Sequence, residues 1–320
     1  MRQTRQTRKP TSRTAARAFG ASARVGHDAS RFYARRLYDA PDDAAANGAA
    51  DSAPAPAAAV PPRVRNRIFC HDARKMKHLP DNCAALMVTS PPYNVGKEYD
   101  EDLSLADYQD LLRKVLAETH RVLQAGGRAC INVANIGRTP YISLAAVARD
   151  AALAAGFLPR GEIIWDKGAS AGTSCAWGSW RSASNPVLRD VHEYILVFSK
   201  EGWRRVRPPA GGDSISRDDF LESTKSIWRF PAASARRARH PAPFPPELPR
   251  RLMELYAFKG ELVLDPFMGS GTTACAALET GRAYVGYEIN AAYAKIARAH
   301  IAATKRTLAA RRRATRCRTS

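Results

Sequence analysis

Two apolar runs that end in unusual loops constrain the fold of this chain more than any other feature. Residues 84–88 (Ala-Ala-Leu-Met-Val) precede the string Thr89–Asn94, and Leu262–Leu264 precede the string Asp265–Thr273. Short apolar runs of this kind are typical of buried strands in a parallel sheet. Residues just past the carboxyl ends of such strands line the ligand crevice of an α/β fold. We therefore predict that both loops open on the same edge of one sheet.

The order of the predicted elements indicates a doubly wound α/β sheet that is mixed but mostly parallel. One amphipathic helix begins at Ser104, where Asp107 gives a capping-box pattern, and Gly126-Gly127 are predicted to end it. The strand at 193–198 follows another strand without an intervening helix, so we expect it to run antiparallel. Further strands are predicted at 68–70, 128–133, 162–165 and 284–287, and further helices at 142–155, at 246–258, from Gly271 and from Asn290.

Composition divides the chain into a folded body and two basic tails. The 320 residues carry a formal net charge of +20 and are 45% hydrophobic, enough to bury one large core. Residues 1–40 contain ten Lys and Arg against two acids, and residues 304–320 contain seven with no acid. Residues 40–62 are a low-complexity stretch of Ala, Pro, Asp and Gly. We predict a basic, largely disordered extension over 1–62, a folded domain over 63–303 and a basic tail beyond it.

The charge and the cysteines limit the partners and the compartment. An excess of basic residues favours a polyanionic partner, and basic tails add salt-dependent attraction to nucleic acid that does not depend on sequence. The six cysteines are dispersed without a Cys-x-x-Cys pair, which argues against a zinc site or a disulfide framework and fits a reducing compartment. No apolar run has the length of a membrane span. We expect a cytoplasmic, nucleoid-associated protein with no metal and no membrane partner.

The second loop has the features of a cradle for a nucleotide-like cofactor. Gly269 and Gly271 lack side chains at points where the backbone must approach a ligand, and a helix opens at Thr272. Glu288 ends the next predicted strand, where an acid accepts hydrogen bonds from ribose hydroxyls in nucleotide-binding α/β folds. Gly-x-Gly alone would also suit an ordinary tight turn between a strand and a helix. The prefix Asp265–Phe267 and the acid downstream favour the cofactor interpretation.

The first loop suits a planar amine. Pro91 and Pro92 fix φ and remove two backbone donors, so the neighbouring groups point in fixed directions. The Ser90 hydroxyl and the Pro91 carbonyl can accept the N–H groups of an exocyclic base amine, while Tyr93 offers a flat face for stacking. Two such acceptors draw the nitrogen toward tetrahedral geometry and stabilise the positive charge that develops during attack. A proline-rich turn with a packed tyrosine explains the two prolines but not the whole string.

On these two strings the chain resembles the amino-group DNA methyltransferases that depend on S-adenosylmethionine. Ser90–Tyr93 resembles the catalytic motif in the Ser-Pro-Pro-Tyr form usual for N4-cytosine enzymes, whereas adenine-N6 enzymes mostly carry Asp first. Asp265–Thr273 resembles the cofactor motif, and because it follows the catalytic motif, the order is that of the β class. His240–Pro245 resembles the motif before the cofactor strand, with Phe244 where many members have Lys. The resemblance covers the predicted folded domain and neither tail.

The resemblance implies a Rossmann-like methyltransferase sheet and further functional residues. It places Asp72 at the cofactor adenine and Trp165 beside a flipped target base, although Asp72 could instead cap a turn and Trp165 could instead be a core aromatic. Residues 168–235 correspond by position to a small irregular target-recognition insertion. The candidates for DNA contacts in and after this insertion are Trp177, Trp180, Arg181, Arg189, Trp203, Arg204, Arg205, Arg207, Arg236, Arg237 and Arg239.

Together these features predict methyl transfer from S-adenosylmethionine to the N4 of cytosine in double-stranded DNA, with base flipping. The enzyme would mark host DNA, either together with a cognate restriction endonuclease or as an orphan methyltransferase. The implied residues are Ser90, Pro91, Pro92 and Tyr93 for catalysis, Tyr93 and Trp165 for the target base, and Asp72, Asp265, Phe267, Gly269, Gly271, Thr272 and Glu288 for the cofactor. Three alternatives stay open: adenine-N6 methylation, a non-catalytic DNA-binding relative, and glutamine methylation on a protein. A carbon-5 cytosine mechanism is not expected, because the chain has no Pro-Cys pair.

Overall fold

The computed structural model describes residues 57–93, 103–136, 140–168, 178–209, 211–233 and 244–319, with side chains as far as residue 315. These residues belong to one compact unit, Ala53–Ser320. Nearly all of the predicted N-terminal extension lies outside the described residues, as do Asn94, Trp177, the stretch 240–243 and the three arginines Arg236, Arg237 and Arg239. None of the helices described combines the length and the apolar character needed to cross a membrane.

The described residues form eight strands and six helices. The strands are β1 (Arg67–Phe69), β2 (Ala84–Thr89), β3 (Leu123–Val133), β4 (Leu158–Asp166), β5 (His192–Ser199), β6 (Ile227–Arg229), β7 (Leu262–Asp265) and β8 (Ala283–Tyr287). The helices are α1 (Leu105–Val122), α2 (Leu144–Ala154), α3 (Arg217–Ser223), α4 (Glu247–Tyr256), α5 (Thr272–Glu279) and α6 (Ala291–Thr319). The alternation of strands and helices confirms the predicted doubly wound class.

All eight strands join one mixed sheet in the order β1-β8-β7-β2-β3-β5-β4-β6. Only β5 among them runs antiparallel to its neighbours, β3 and β4, as its sequence position predicts. The carboxyl ends of the parallel strands therefore lie together with the amino end of β5. We call this side the carboxyl edge, and the opposite side the amino edge. The strand residues that define the carboxyl edge are Thr89, Val133, Asp166, Asp265, Tyr287 and His192, and those that define the amino edge are Ala84, Leu262, Ala283 and Ser199.

Helices cover both faces of the sheet, and each face has its own buried cluster. In β2, Met87 packs into the cluster shared with α1 and α2, whereas Leu86 and Val88 pack into the cluster shared with α4, α5 and α6. This alternation follows from the two-residue period of a strand, and burial on both faces explains why β2 is apolar from Ala84 to Val88. Such a central strand holds the loop that follows it on a rigid support.

The end of α1 differs from the prediction. The Ser104 hydroxyl accepts a hydrogen bond from Asp107 N, as the capping pattern predicts, but the helix ends at Val122 and not at the glycines. The backbone amides of Asn82 and Cys83 donate to the carbonyls of Arg121 and Val122. Because these amides satisfy the last turn of the helix, no glycine is needed there. Gly126 and Gly127 lie inside β3 instead.

The segment 201–235, predicted to be irregular, contains α3 and β6. Ser216 caps α3 by accepting from Asp219 N, and β6 extends the sheet by pairing with β4. Trp228 of β6 is 1% exposed, so burial of this side chain secures the short strand. The predicted insertion therefore contributes β5 and β6 to the sheet as well as irregular connections.

Two boundaries of the predicted domain also shift. Ala58 and Val60 pack against the core, so packing starts a few residues before the expected boundary at 63. At the other end, α6 continues through the predicted basic tail to Thr319. Gly271 of the α5 N-terminus lies against Ala297, and the helix then runs alongside α5 away from the carboxyl edge. The basic residues of the tail therefore extend the far end of this helix.

Candidate active site

Asp265 joins the two loops at the carboxyl edge. Its carboxylate accepts hydrogen bonds from Thr89 Oγ1 at 2.7 Å, from Thr273 Oγ1 at 2.6 Å and from Phe267 N at 3.0 Å. The residue is 1% exposed, and burial raises its pKa to about 6. Both carboxylate oxygens are thus bonded inside the protein. Asp265 therefore orders the cofactor loop (Asp265–Thr273) and connects it to the end of β2. Its effect on a ligand is indirect, because it fixes the shape of this loop.

Glu288 holds the glycine turn of the cofactor loop. One of its oxygens accepts from Gly269 N at 2.8 Å and the other from Asn290 N at 2.9 Å, while burial raises the pKa of its carboxyl group. Gly269 and Gly271 have φ angles of 49° and 86°, the left-handed region that glycine adopts without strain. A Cβ at Gly271 would also lie 3.0 Å from the Ala297 Cβ. Turn shape and helix packing therefore both require glycine at position 271.

The other predicted cofactor residues lie around this turn. Thr272 begins α5, whose N-terminus has no capping side chain, and the Thr272 and Ser270 hydroxyl oxygens are 3.5 Å apart. Phe267 is partly buried against the core. Asp72 follows β1, the neighbour of β8, but its carboxylate accepts from Arg74 N at 2.8 Å and pairs with the Arg74 guanidinium at 2.6 Å. These contacts favour the turn-capping interpretation of Asp72, which lies just past the carboxyl end of β1.

The catalytic string begins directly after β2 and lies at the same edge. The Ser90 and Tyr93 hydroxyl oxygens are 3.0 Å apart. Both side chains are partly buried, whereas Pro91 is buried. Burial raises the pKa of Tyr93 well above its usual value, and the charge of Glu193 raises it further. The tyrosine therefore stays protonated at neutral pH and can donate its hydroxyl proton.

A polar cluster from two other strands and from the residue after β4 meets Tyr93, and none of its residues was predicted from the sequence. Glu193 of β5 accepts from Tyr93 Oη at 3.2 Å and from Asn132 Nδ2 at 2.5 Å, and it pairs with Lys167 Nζ at 2.6 Å. Glu193 is 9% exposed and Asn132 is 2% exposed. The sequence signal for Asn132 was a polar residue between the apolar residues Ile131 and Val133, and the signal for Glu193 was an acid directly before the largely apolar run 194–198. A buried polar side chain at such a position needs partners.

Trp165 belongs to the hydrophobic core. It is 2% exposed, its ring stacks on Phe230 with centroids 5.3 Å apart, and its Nε1 donates to the Phe230 carbonyl at 2.9 Å. Of the two interpretations of this residue, the burial favours the core aromatic over the wall of a base pocket. Its link to the polar cluster is Lys167, whose Nζ lies 5.5 Å from the ring centroid.

The candidate DNA-contacting residues separate into two groups. Trp180, Arg181 and Arg189 belong to the connection between β4 and β5 at the carboxyl edge, and all three are exposed. The group from Trp203 to Arg207 follows β5 at the amino edge, where the Arg204 backbone lies against Gly126. Arg205 in this group is held by Glu261 and by the Tyr256 carbonyl. The antiparallel β5 carries Trp203, Arg204 and Arg205 to the edge opposite Ser90 and Tyr93, and their contact with DNA stays a prediction.

Comparisons of the sequence and of the structure with known proteins agree with the doubly wound fold. The sequence profile of the DNA methylase family N6_N4_Mtase matches residues 84–299. The Type II methyltransferase M.ScaI of Streptomyces caespitosus is 28% identical over 247 residues, covering 73% of this chain and 80% of that protein. The DNA adenine methyltransferase YhdJ of Escherichia coli K12 is 28% identical over 239 residues, covering 69% and 77% respectively.

A solved structure has the same fold. The crystal structure of TTHA0409 from Thermus thermophilus, complexed with S-adenosyl-L-methionine, superimposes with a TM-score of 0.61 at 29% identity, covering 75% of this chain and 94% of that one. The fold is thus that of the Rossmann-like methyltransferases. The chain belongs to the N6/N4 DNA methylase family, whose profile spans both loops and the sheet between them.

Proposed function

We propose that this DNA methyltransferase transfers a methyl group from S-adenosyl-L-methionine to the exocyclic N4 of cytosine in double-stranded DNA. The observation that carries the proposal is the Ser90 hydroxyl, 3.0 Å from the Tyr93 hydroxyl, directly after a buried central strand. The buried strand keeps Ser90, the acceptor for the amine, and Tyr93, the stacking surface, in one fixed arrangement. Stabilisation of a transition state by preorganised groups requires such an arrangement. We further propose that the enzyme acts in DNA modification.

The cofactor loop fits S-adenosyl-L-methionine. The uncapped N-terminus of α5 leaves amide groups available to an anionic group such as the cofactor carboxylate. Glu288, fixed by two amides, keeps lone pairs that can accept ribose hydroxyls. The residues that would hold the cofactor are Gly269, Gly271, Thr272, Phe267, Glu288 and Asp72, with Asp265 maintaining the loop. When bound, the cofactor supplies an electrophilic methyl group on a sulfonium.

The catalytic string would prepare the amine. The Ser90 hydroxyl and the Pro91 carbonyl accept its two N–H groups, which lowers delocalisation of the nitrogen lone pair into the ring. Tyr93 stacks on the base and fixes its plane. Because a base inside a duplex cannot reach this edge of the sheet, the base must first be flipped out of the helix. The proton leaves a nitrogen that already carries positive charge, so the step needs no strong general base.

Adenine-N6 methylation is the second candidate, and a specific observation favours it. YhdJ, named as a DNA adenine methyltransferase, is 28% identical to this chain over 239 residues. The Ser90 hydroxyl could accept an adenine amine in the same way as a cytosine amine. The identity of Ser90 and the shape of the base pocket together decide between the two bases, and Ser in the first position of the motif is our reason for choosing cytosine.

Mass spectrometry of nucleosides tests the proposal. The chain and its Ser90→Ala variant are expressed in a host that lacks other N4 and N6 methylation, and the host DNA is hydrolysed to nucleosides. We expect N4-methylcytosine with the native chain, and at least about a tenfold decrease with the variant because one acceptor of the amine is lost. N6-methyladenine in its place would support the second candidate. The absence of both marks, with folded protein that binds the cofactor, would contradict DNA amino-methylation by this chain in that host.

A further inference from the structure

Glu193 is a buried carboxylate at the carboxyl edge that the proposed chemistry does not yet use. Three donors surround it: Tyr93 Oη at 3.2 Å, Asn132 Nδ2 at 2.5 Å and Lys167 Nζ at 2.6 Å. These donors come from the loop after β2, from β3 and from the residue after β4. Glu193 therefore links three neighbouring parts of the sheet to one side chain of the catalytic string.

The side-chain amide of Asn132 bonds to Glu193 through its nitrogen, while its oxygen stays unsatisfied in the part of the chain that the structure describes. Its amide nitrogen donates to Glu193, whereas its Oδ1 is buried and has no hydrogen-bond partner within the described residues. An unsatisfied buried oxygen destabilises a protein. Asn132 therefore stabilises the structure through its amide nitrogen, which donates a hydrogen bond to the Glu193 carboxylate and holds it in place. Lys167 neutralises the same carboxylate and allows it to be buried as an ion.

The Tyr93 ring is anchored at both ends by this arrangement. Its Cβ end is fixed by the backbone after Pro91 and Pro92, and its hydroxyl end is bonded to Ser90 and Glu193. A tyrosine ring held only by its backbone can rotate about two side-chain torsions. Hydrogen bonds at the far end fix the position of the hydroxyl oxygen and so restrict the first torsion. Because a phenolic O–H lies in the plane of its ring, the direction of the bond to Glu193 also favours one orientation of that plane. The orientation of that plane matters for stacking, because misplacement of a reacting group by about 1 Å can cost 100-fold in rate.

We propose that Glu193 is a positioning residue for methyl transfer, holding the Tyr93 hydroxyl so that the ring presents a fixed stacking plane to the target base. The inference rests on the proposed function, because it assigns Glu193 to the same catalytic string. Burial and the Glu193 charge keep the pKa of Tyr93 high, which is consistent with a hydroxyl that donates to a carboxylate. Asn132 and Lys167 support this contact and do not touch the substrate in the proposed arrangement.

A double-mutant cycle separates this role from a purely structural one. The four proteins are the native chain, Glu193→Gln, Tyr93→Phe and the double variant, assayed for transfer of labelled methyl groups to unmodified genomic DNA. Tyr93→Phe keeps the ring and removes only the hydroxyl. We expect each single change to lower kcat by about 10- to 100-fold, the range for one charge-assisted hydrogen bond. The double variant should be no slower than the slower single variant within about twofold, since Tyr93→Phe removes the hydroxyl through which Glu193 acts, together with the contacts of that hydroxyl to Ser90 and Asn132.

Two controls make the cycle interpretable. Glu201→Gln removes a carboxylate just past the other end of β5, at the amino edge, and should leave kcat unchanged. Calorimetric affinity for S-adenosyl-L-methionine should stay within about twofold in every variant, because the hydrogen bonds by which Asp265 and Glu288 hold the cofactor loop do not involve Glu193. If Glu193→Gln does not fold, Glu193→Gln combined with Lys167→Met, which also removes the partly buried cation that pairs with Glu193, replaces it in the cycle.

Several outcomes would overturn the inference. Native turnover in Glu193→Gln, or losses that multiply in the double variant, would show that Glu193 does not act through the Tyr93 hydroxyl. Loss of cofactor affinity in parallel with turnover would show a general structural role. A native chain that binds the cofactor but transfers no methyl group to DNA would contradict the proposed function itself, which distinguishes the two failures.

Discussion

The two edges of the sheet differ in the charge of the groups that they bury. The carboxyl edge buries carboxylates and the amino edge buries arginines. Those at the carboxyl edge are Asp265, Glu193 and Glu288, and those toward the amino edge are Arg128 and Arg282, with the mostly buried Arg205 beside them. Burial lowers the pKa of Arg128 to about 10, yet its guanidinium still bonds to Ser199 Oγ at 2.7 Å and to the Trp203 carbonyl at 2.7 Å.

The direction of the helices explains this difference. In a parallel α/β sheet the connecting helices begin near the carboxyl edge and end near the amino edge, so amide groups face one edge and carbonyl groups the other. Glu288 accepts from Gly269 N in the turn before α5. Arg205 donates to the carbonyl of Tyr256, the last residue of α4, and Arg282 donates to Ala257 just beyond it at 2.6 Å. Glu288 thus meets backbone amides at the carboxyl edge, whereas Arg205 and Arg282 meet backbone carbonyls at the amino edge, where Glu261 pairs with Arg205.

The comparison shows why a basic composition is a poor guide to the DNA-binding face. Arg205 reads in the sequence as one of a basic, aromatic-containing cluster, but it is a structural residue at the amino edge. Arg181 and Trp180, the latter 66% exposed, lie in the connection at the carboxyl edge, on the same side as Ser90 and Tyr93. Exposed cations and buried acids thus occur together at the edge that carries Ser90 and Tyr93, whereas Arg205 lies at the other edge.

The largest effect is expected from a change at the carboxyl edge that leaves the buried acids in place. Tyr93→Ala removes both the stacking face and the bond to Glu193, and we expect turnover to fall by about 100-fold or more. Affinity for S-adenosyl-L-methionine should change by less than about threefold, because the cofactor loop is held by Asp265 and Glu288. Single-turnover methylation and calorimetry of the same preparation measure both. Turnover close to that of the native chain would remove Tyr93 from the catalytic site.

Much of this edge could be predicted from local sequence, because local signals determine it. The apolar runs before Thr89 and Asp265 gave their loops a common edge, and Ser104 with Asp107 gave the start of α1. The contact between Tyr93 and Glu193 could not be predicted in this way. Those residues are 100 positions apart and meet only because β5 inserts beside β3 in the sheet.

The edge at which Arg205 lies could not be predicted for the same reason. The basic cluster around it was correctly recognised, but its edge depends on the direction of β5 and on its ion pair with Glu261, 56 residues further along the chain. A strand reversal moves every following residue to the other side of the sheet. Local patterns identify which residues are basic and lie in a loop. Only the order and direction of the strands determine the edge at which that loop lies.

An intermediate effect is expected from the buried acid that joins the two loops. The native state raises the pKa of Asp265 from 3.8 to about 6, so it favours the protonated carboxyl group relative to the unfolded chain. The stabilisation from Asp265 is therefore complete below pH 3.8 and is lost as the pH rises through about 6, with a total change of roughly 3 kcal/mol. Asp265→Asn should reduce the loss of stability over this window, measured as the free energy of unfolding in urea at several pH values.

The asparagine is a close match in shape and in bonding. Its Oδ1 can accept from Thr89 and from Phe267 N, and its Nδ2 can donate to the Thr273 hydroxyl. Burial also raises the pKa of Glu288, but this residue is unchanged in the variant, so the difference between the two proteins isolates Asp265. Equal pH dependence in both would mean that the carboxyl group at position 265 does not titrate in this range.

The smallest effect is expected from one exposed cation at the carboxyl edge. Arg181→Gln removes a charge and keeps most of the side chain, so stability should change by no more than about 0.5 kcal/mol. If Arg181 contacts a phosphate, the slope of the logarithm of DNA affinity against the logarithm of salt concentration should fall by about one. Fluorescence anisotropy with a labelled duplex at several salt concentrations measures this slope.

The matched change at the amino edge is Arg282→Met, which removes a buried cation bonded to the Ala257 carbonyl. There we expect the opposite result: stability should fall by about 1–3 kcal/mol because carbonyl groups lose their donor, and the salt slope should not change. An altered slope in Arg282→Met, or an unaltered one in Arg181→Gln, would contradict the assignment of DNA binding to the carboxyl edge. The pair therefore tests the comparison of the edges even where each single effect is small.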